Sequence, residues 1–575
     1  MALRYLAIVA KSGDAALASQ GKIPADMTSA LVTARMTVYA SASKDWLVSH
    51  DGSSVMLGHL FEKNTGKPVQ PGFKIDISEK LDIRRLLSTC FGGYVVLNQT
   101  TNGQVECFRD PSGALPCYVI ETDEYWLVTS DVQTARSVGL WPPQIDWAFL
   151  PQHLFAFDRR TARTGLINVT ELLAGQSVTL TPATAITRQV WSPWDYVAKS
   201  HNQSSEQLAG QLRETIERCV SAWGKRFDRV LLGASGGLDS SIIALCLAQT
   251  NALAGCLTMA TDEPEGDERA YARIIAEAVC TSLTEAFHDL ADIDVTRSSS
   301  AHLPRPIQFA FGQSEYRTKA RLAESGKIDA YFTGIGGDNV FCHMRSATPV
   351  IDRIRSEGLS AGAIQTLNDV CRLTGASAGT AVGMAIQRAL RPSTYDWRGD
   401  ASYLNATRIG PLLPHPWLET PADALPGKAV HIAMLARIQG TIDGFPRASM
   451  GPMVNPLLSQ PIVELCLSIP TWEWCEGGQD RAVARRAFAD VMPPALLNRR
   501  SKGGPDSFAF RIVETQRKAI RDQLLGGLLR AHDVLDVEAL QTLFDDPRPI
   551  RAPDHIRLLA LAEAEAWARH WHRLG

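Results

Sequence analysis

The segment Ser235-Gly236-Gly237-Leu238-Asp239-Ser240-Ser241 constrains this chain more than any other. An apolar run, Val230-Leu231-Leu232, precedes it, and a helical pattern, Ser241-Ile242-Ile243-Ala244-Leu245-Cys246-Leu247, follows. A strand, a glycine turn and a helix start therefore meet at one point, which aims backbone N–H groups and the positive end of a helix dipole at one small volume. Gly236 and Gly237 let the backbone turn tightly and approach a ligand closely. Ser235, Ser240 and Ser241 add hydroxyl donors. Asp239 adds a carboxylate, which repels bare phosphate but suits Mg²⁺ held on that phosphate. The volume fits the pyrophosphate end of ATP. No lysine stands at the helix start, so this is not the Gly-x-x-x-x-Gly-Lys-Ser/Thr loop. The plain alternative is a helix cap closed by serine and aspartate.

At 575 residues the chain is too long for one core of ordinary size, and two or more domains are expected. Hydrophobic residues make up 45% and charged residues 21%, the range of a soluble globular enzyme. A net charge of −3 without a Lys/Arg run gives no field that favours nucleic acid. No stretch reaches the roughly 18 uninterrupted apolar residues of a membrane span. The start, Ala2-Leu3-Arg4-Tyr5-Leu6-Ala7-Ile8-Val9-Ala10, is broken by Arg4 and followed by Lys11, so it reads as a buried strand rather than a signal peptide. Eleven cysteines form no Cys-x-x-Cys pair, which fits a reducing cytoplasm better than a zinc site or a disulfide framework.

Two regimes follow one another along the chain. Residues 1 to about 195 read mostly as short strands, with Asp110-Pro111-Ser112-Gly113 as a strong turn and a closing hairpin over 175–191. A polar stretch, 198–206, reads as a linker. From about 207 helices and strands alternate: a helix over 208–223, a strand at 229–233, a second at 257–260, an amphipathic helix over 267–280 and a third strand at 330–334. That alternation predicts an α/β fold with a doubly wound parallel sheet, whose ligands sit beyond the carboxyl ends of the strands. The remainder, 352–575, reads as mainly helical.

Two more stretches carry chemistry. Thr333-Gly334-Ile335-Gly336-Gly337-Asp338-Asn339-Val340-Phe341 follows a strand, so Asp338 belongs at the same sheet edge as Asp239. The pair is the candidate metal site, since Mg²⁺ takes one or two protein carboxylates plus phosphate oxygens. Leu232, Ser235, Gly236, Gly237, Leu238, Asp239, Ser240, Thr258, Thr333 and Gly334 are the candidate nucleotide-binding residues. Leu497-Asn498-Arg499-Arg500-Ser501-Lys502-Gly503-Gly504 reads either as a solvated basic turn or as a loop delivering Lys502 to charge that develops in a transition state. Upstream, Arg481 and Arg485 share one helix face, turned to phosphate or to solvent.

With these motifs the chain resembles the ATP pyrophosphatase superfamily and, over nearly its whole length, the asparagine synthetase family with its β-lactam-forming relatives. Ser235 to Ser241 is similar to the family's pyrophosphate loop. Asp338 stands in its acidic loop, usually Gly-Glu-Gly-Ser-Asp-Glu, and Arg481-Ala-Val-Ala-Arg485 in its Lys-x-x-Leu-Arg helix. Lys502 stands in its C-terminal lysine loop, and Arg109 to Gly113 resembles the Arg-Asp-x-x-Gly hairpin of its N-terminal glutaminase-like domain. The resemblance implies a glutaminase-like αββα sandwich over 1–197 and an ATP-dependent amide-forming domain over 205–575. It also implies ATP and Mg²⁺ as cofactors, and Lys502 and Arg481 as catalytic cations.

Three departures bear on function. Where the family's N-terminal domain carries a nucleophilic cysteine after Met1 removal, this chain has Ala2, and a methyl group cannot attack an amide. Asn339 replaces a usual carboxylate. The region from Arg447 to Leu458 offers Pro452 and Met453 where asparagine synthetases carry a Glu before Pro-Phe-Leu-Asp. Asp110 to Cys117 and Gly336 to Phe341 are similar to motifs of the lasso peptide macrolactam synthetases, a branch without the cysteine. That resemblance implies adenylation of an Asp or Glu side chain of a precursor peptide and attack by the peptide's own α-amine. A leader-peptide protease and a leader-binding protein are the implied partners. The other readings are an amide ligase acting on a small substrate, a non-enzymatic scaffold and a tRNA-modifying relative.

Overall fold

The computed structural model describes residues 2–12, 26–41, 45–69, 82–197, 203–263, 266–307, 312–500, 503–504 and 506–575. The N-terminal part forms two six-stranded antiparallel sheets. One runs, in spatial order, Val169–Glu171, Tyr118–Glu121, Tyr125–Thr129, Tyr5–Ala10, Met36–Ala40 and Thr28–Val32. The other runs Ala185–Gln189, Gln176–Leu180, Val105–Arg109, Cys90–Gln99, Ser54–Glu62 and Trp46–Val48.

The first strand shows how these sheets are held. Its residues are all buried, and they alternate between two cores. Tyr5, Ala7 and Val9 meet Val55, Leu57, Val95 and Leu97 between the sheets. Leu6 and Ile8 face outward into a core with Leu558, Trp567 and Trp571 of the C-terminal helix Asp554–His572. The outer face of the second sheet, Met56, Tyr94 and Val96, packs with Leu212, Ile216 and Cys219 of the helix Ser205–Gly224. Both sheets are thus covered on both faces. That helix begins inside the stretch expected as linker, because Ser204 and Gln207 close a capping box; 198–202 lie outside the described residues.

The second part carries a five-stranded parallel sheet in the order Leu283–Phe287, Leu253–Ala260, Val230–Gly233, Ala330–Phe332 and Met453–Val454. The fold is a mixed α/β one with a parallel sheet. Chain order runs outward in both directions from the central strand, Val230–Gly233. The crevice at the point of reversal therefore opens between the loops that follow Val230–Gly233 and Ala330–Phe332. Leu283–Phe287 and Met453–Val454 lie at the two edges, and neither has an apolar run long enough to announce a strand. Among the described residues, no helix is long and apolar enough to cross a membrane.

Candidate active site

The two glycine loops close on one another at that crevice. Helix Leu238–Leu247 starts directly from Gly237. Gly236 is left-handed at φ +62°, and a Cβ there would lie 2.4 Å from the backbone carbonyl carbon of Tyr271. A Cβ on Gly334 would lie 2.8 Å from the Ser240 nitrogen, and one on Gly337 would lie 2.2 Å from Asp239 Cγ. The glycines are what allow the second loop to press against the first and set Asp338 beside Asp239. Ser235 Oγ accepts the Gly237 N–H at 3.3 Å and sits 3.2 Å from Ser240 Oγ, so the hydroxyls brace the turn.

The two carboxylates converge on one cation. Arg481 Nη1 donates to both oxygens of Asp239 at 3.1 Å and to Asp338 Oδ1 at 2.6 Å. Arg481 opens its short helix from a left-handed conformation, φ +53°, and Asp480 holds its other nitrogens. Burial alone would lower the guanidinium pKa, but Asp239, Asp338 and Asp480 outweigh it and hold the group above its ordinary value. Two carboxylates that share one positive charge, with His343 Nδ1 3.3 Å from Asp338 Oδ1, could hold a Mg²⁺ ion that would take its remaining oxygens from phosphate.

A cavity of about 410 Å³ lies over these groups. Ser235, Gly237, Leu238, Asp239, Ser240, Thr333, Gly334, Asp338 and Arg481 line it, as the sequence reading expected of a common site. Leu232, Gly236 and Thr258 do not. Leu232 packs into the main core, and Thr258 is buried in its strand, paired with Glu285 of the edge strand. Lys502 lies outside the described residues, but its neighbours are anchored: Arg499 Nη2 and the Gly503 N–H both donate to Glu268, at 2.6 and 3.1 Å. Arg499 also reaches the Ser235 carbonyl at 2.8 Å and stacks 3.9 Å from the Tyr271 ring. Arg485 lines the same cavity and is 5% exposed. It clamps Asp480 and the carbonyls of Leu497 and Arg499, fixing the basic loop.

Sequence reasoning missed three residues here. Glu315 and Lys319, from the helix Gly312–Gly326, line the same cavity. Their i, i+4 spacing is common on solvated helices and gave no local signal. Asn455 receives the Thr333 hydroxyl at 2.6 Å and ties the acidic loop to the sheet edge.

Residues 211–573 match the family model described as asparagine synthase. The chain belongs to the asparagine synthase family. No curated protein matches it. Among solved structures, a glutamine phosphoribosylpyrophosphate amidotransferase from B. subtilis, complexed with ADP and GMP, is 12% identical, and the match covers 49% of this chain and 65% of that one, under two thirds, at a TM-score of 0.20. A structure titled as the allosteric regulatory enzyme of purine biosynthesis is 11% identical over 50% of this chain and 75% of that one, also at 0.20. Membership of the asparagine synthase family points to an ATP-dependent amide ligase type of activity.

A second cavity, of about 910 Å³, runs between the N-terminal sheets and the family-matched region. Ala2, His59, Trp223, Arg447 and Asn455 are in its wall, and no cysteine is, among the described residues. The Ala2 N–H donates to the Met450 carbonyl at 2.8 Å. Burial drives the His59 pKa down to about 4 despite the nearby Asp45, with Arg226 and Arg447 adding to the depression.

Proposed function

We propose that this chain is an AMP-forming macrolactam synthetase that activates an Asp or Glu side chain of a precursor peptide and closes a ring with the peptide's N-terminal amine. The observation that carries the reading is the contrast between the two cavities. One brings two carboxylates and an arginine together on the phosphate loop. The other has Ala2 in its wall, where a glutaminase-like domain would need a cysteine nucleophile. The nitrogen then comes from the substrate itself. The lasso-type forms of Asp110–Cys117 and Gly336–Phe341 favour a peptide amine over ammonia.

In this reading residues 1–197 are a glutaminase-like αββα layer without amidase chemistry, and 205–575 the synthetase. Asp239 and Asp338 would hold Mg²⁺, and the loop from Ser235 to Ser240, with Thr333 and Gly334, would hold the triphosphate. Bound there, Mg²⁺–ATP supplies the leaving group that makes a carboxylate reactive. The N–H groups at the start of helix Leu238–Leu247 would face those phosphates. Arg481 and Lys502 stabilise negative charge as the acyl centre changes. Holding amine and acyl group in one pocket replaces a bimolecular step by a unimolecular one. The protein works in the cytoplasm with a leader-peptide protease and a leader-binding protein.

The test is mass spectrometry of purified protein with ATP, Mg²⁺ and a leaderless core peptide from a neighbouring reading frame. The expected result is loss of one water from the peptide together with AMP and PPi, all abolished by Asp239→Asn. AMP without a change in the peptide supports the second reading, an asparagine synthetase-like or β-lactam synthetase-like ligase on a small substrate. No AMP overturns both.

A further inference from the structure

Helix Gly312–Gly326 lays one charged pair against the candidate active site. Lys319 is buried, and its Nζ lies 2.6 Å from Glu315 Oε1 one turn earlier. The ammonium is also 4.5 Å from the Phe445 ring and 3.9 Å from Met453 Sδ, at the edge of the parallel sheet. Burying a lysine among a sulfur and an aromatic ring costs desolvation energy, and an apolar pair of similar size would fill this space with less penalty. The pair therefore calls for a role other than stability, and both residues line the cavity that holds Asp239, Asp338 and Arg481.

Amide formation makes one demand those three groups do not meet. When an amine attacks an acyl carbon, its nitrogen gains positive charge and must give up a proton. Asp239 and Asp338 both point to Arg481. Of the described carboxylates in the cavity wall, Glu315 is the third, and it stands on a helix rather than on the phosphate loops. The acidic loop itself offers Ile335 where the related loops have Glu.

We propose that Glu315 is the proton acceptor for the attacking amine and that Lys319 is the positioning residue that fixes its carboxylate. This rests on the function proposed above. The amine lone pair forms the new C–N bond. The bond from the acyl carbon to the phosphate oxygen of AMP breaks, and its electron pair leaves with AMP. The ammonium proton passes to a Glu315 oxygen and then to solvent. Phe445 and Met453 keep water from competing at Lys319.

The experiment compares Glu315→Gln and Lys319→Met with wild type in the full-length protein, using ATP, Mg²⁺ and the same core peptide. Peptide-dependent PPi release reports activation, and loss of water from the peptide reports ring closure. The expected result for E315Q is ring closure slowed by about 10²–10⁴, far more than PPi release, as befits a general base. Hydroxylamine, which attacks unassisted near neutral pH, is expected to trap the activated peptide as a hydroxamate at a near wild-type rate. K319M is expected to slow ring closure less than E315Q, with recovery as pH rises. PPi release falling in step with ring closure, or ring closure at the wild-type rate, overturns the assignment. A wild-type protein that releases PPi without closing a ring instead overturns the macrolactam reading.

Discussion

Asn339 stands where a carboxylate is usual, and its surroundings explain the exchange. Its Nδ2 donates to the Met434 carbonyl at 2.7 Å. An aspartate has no proton to give, so Asn339→Asp would set two acceptors against each other beside Asp338. The expected cost is about 0.5–1.5 kcal/mol, that of losing one part-buried hydrogen bond, measured as a lowered thermal unfolding midpoint. A wild-type midpoint would show the contact to be dispensable. Arg481 makes the opposite case, a residue whose partners compete with a ligand. It already occupies the space between Asp239 and Asp338. Arg481→Ala takes away one of the positive charges those carboxylates share. It is expected to tighten Mn²⁺ binding to the ATP-free protein, read by electron paramagnetic resonance, while slowing PPi release by about 10²–10³. Weaker Mn²⁺ binding would show that Arg481 orders the carboxylates rather than competing for them.

At the scale of elements, the sequence revealed the phosphate loop, the acidic loop and the three central parallel strands, because each strand has an apolar run and two of the three lead into a glycine turn. The edge strands were hidden: Leu283–Phe287 carries Glu285 in its middle, and Met453–Val454 is only two residues long. Helix Gly312–Gly326 escaped for a different reason. What matters about it is the cavity it faces, and a single helix's pattern does not say which cavity that is. Thr258 and Leu232 lie on strands that lead toward the site, but strand alternation turns side chains away from a cavity as often as toward it. The contact between the two loops is the most demanding feature of this scale. Gly337→Ala would drive a methyl group to 2.2 Å from Asp239 Cγ. Asp239 must then swing off Arg481, or the acidic loop must back away. PPi release is expected to fall by at least about 10², since small misplacements cost that much, with a thermal midpoint only modestly lowered. Wild-type PPi release would mean the two loops need not touch.

At the scale of the molecule, one buried cluster joins the N-terminal sheets to the parallel-sheet half. Glu171, at the edge of the first sheet, accepts from Arg109 at 2.7 Å and from Arg305 at 2.9 Å, and it also pairs with Arg160, which in turn reaches Asp443. The same Arg109 nitrogen, Nη1, also donates to the Leu172 carbonyl, and Nε and Nη2 donate to the carbonyls of Leu115 and Gly113. The Arg-Asp-x-x-Gly hairpin is thus a structural hub here, and Gln439 donates across the junction to the Ser112 carbonyl at 3.0 Å. Burial would raise the Glu171 pKa, but Arg160, Arg305 and Arg109 reverse this and hold it at about 2, against 4.5 for an ordinary glutamate. Its folded pKa is depressed, so its contribution is complete above pH 4.5 and is lost as pH falls through 2. Glu171→Gln leaves three arginines facing each other with less negative charge between them. The expected loss near pH 7 is about 3–5 kcal/mol, that of breaking a buried ion pair from one side. The gap between wild-type and variant unfolding midpoints should then narrow steadily between pH 5 and pH 2, as protonation removes from the wild type what the substitution has already removed. A gap independent of pH would place the cost in packing rather than in the ion pairs of Glu171.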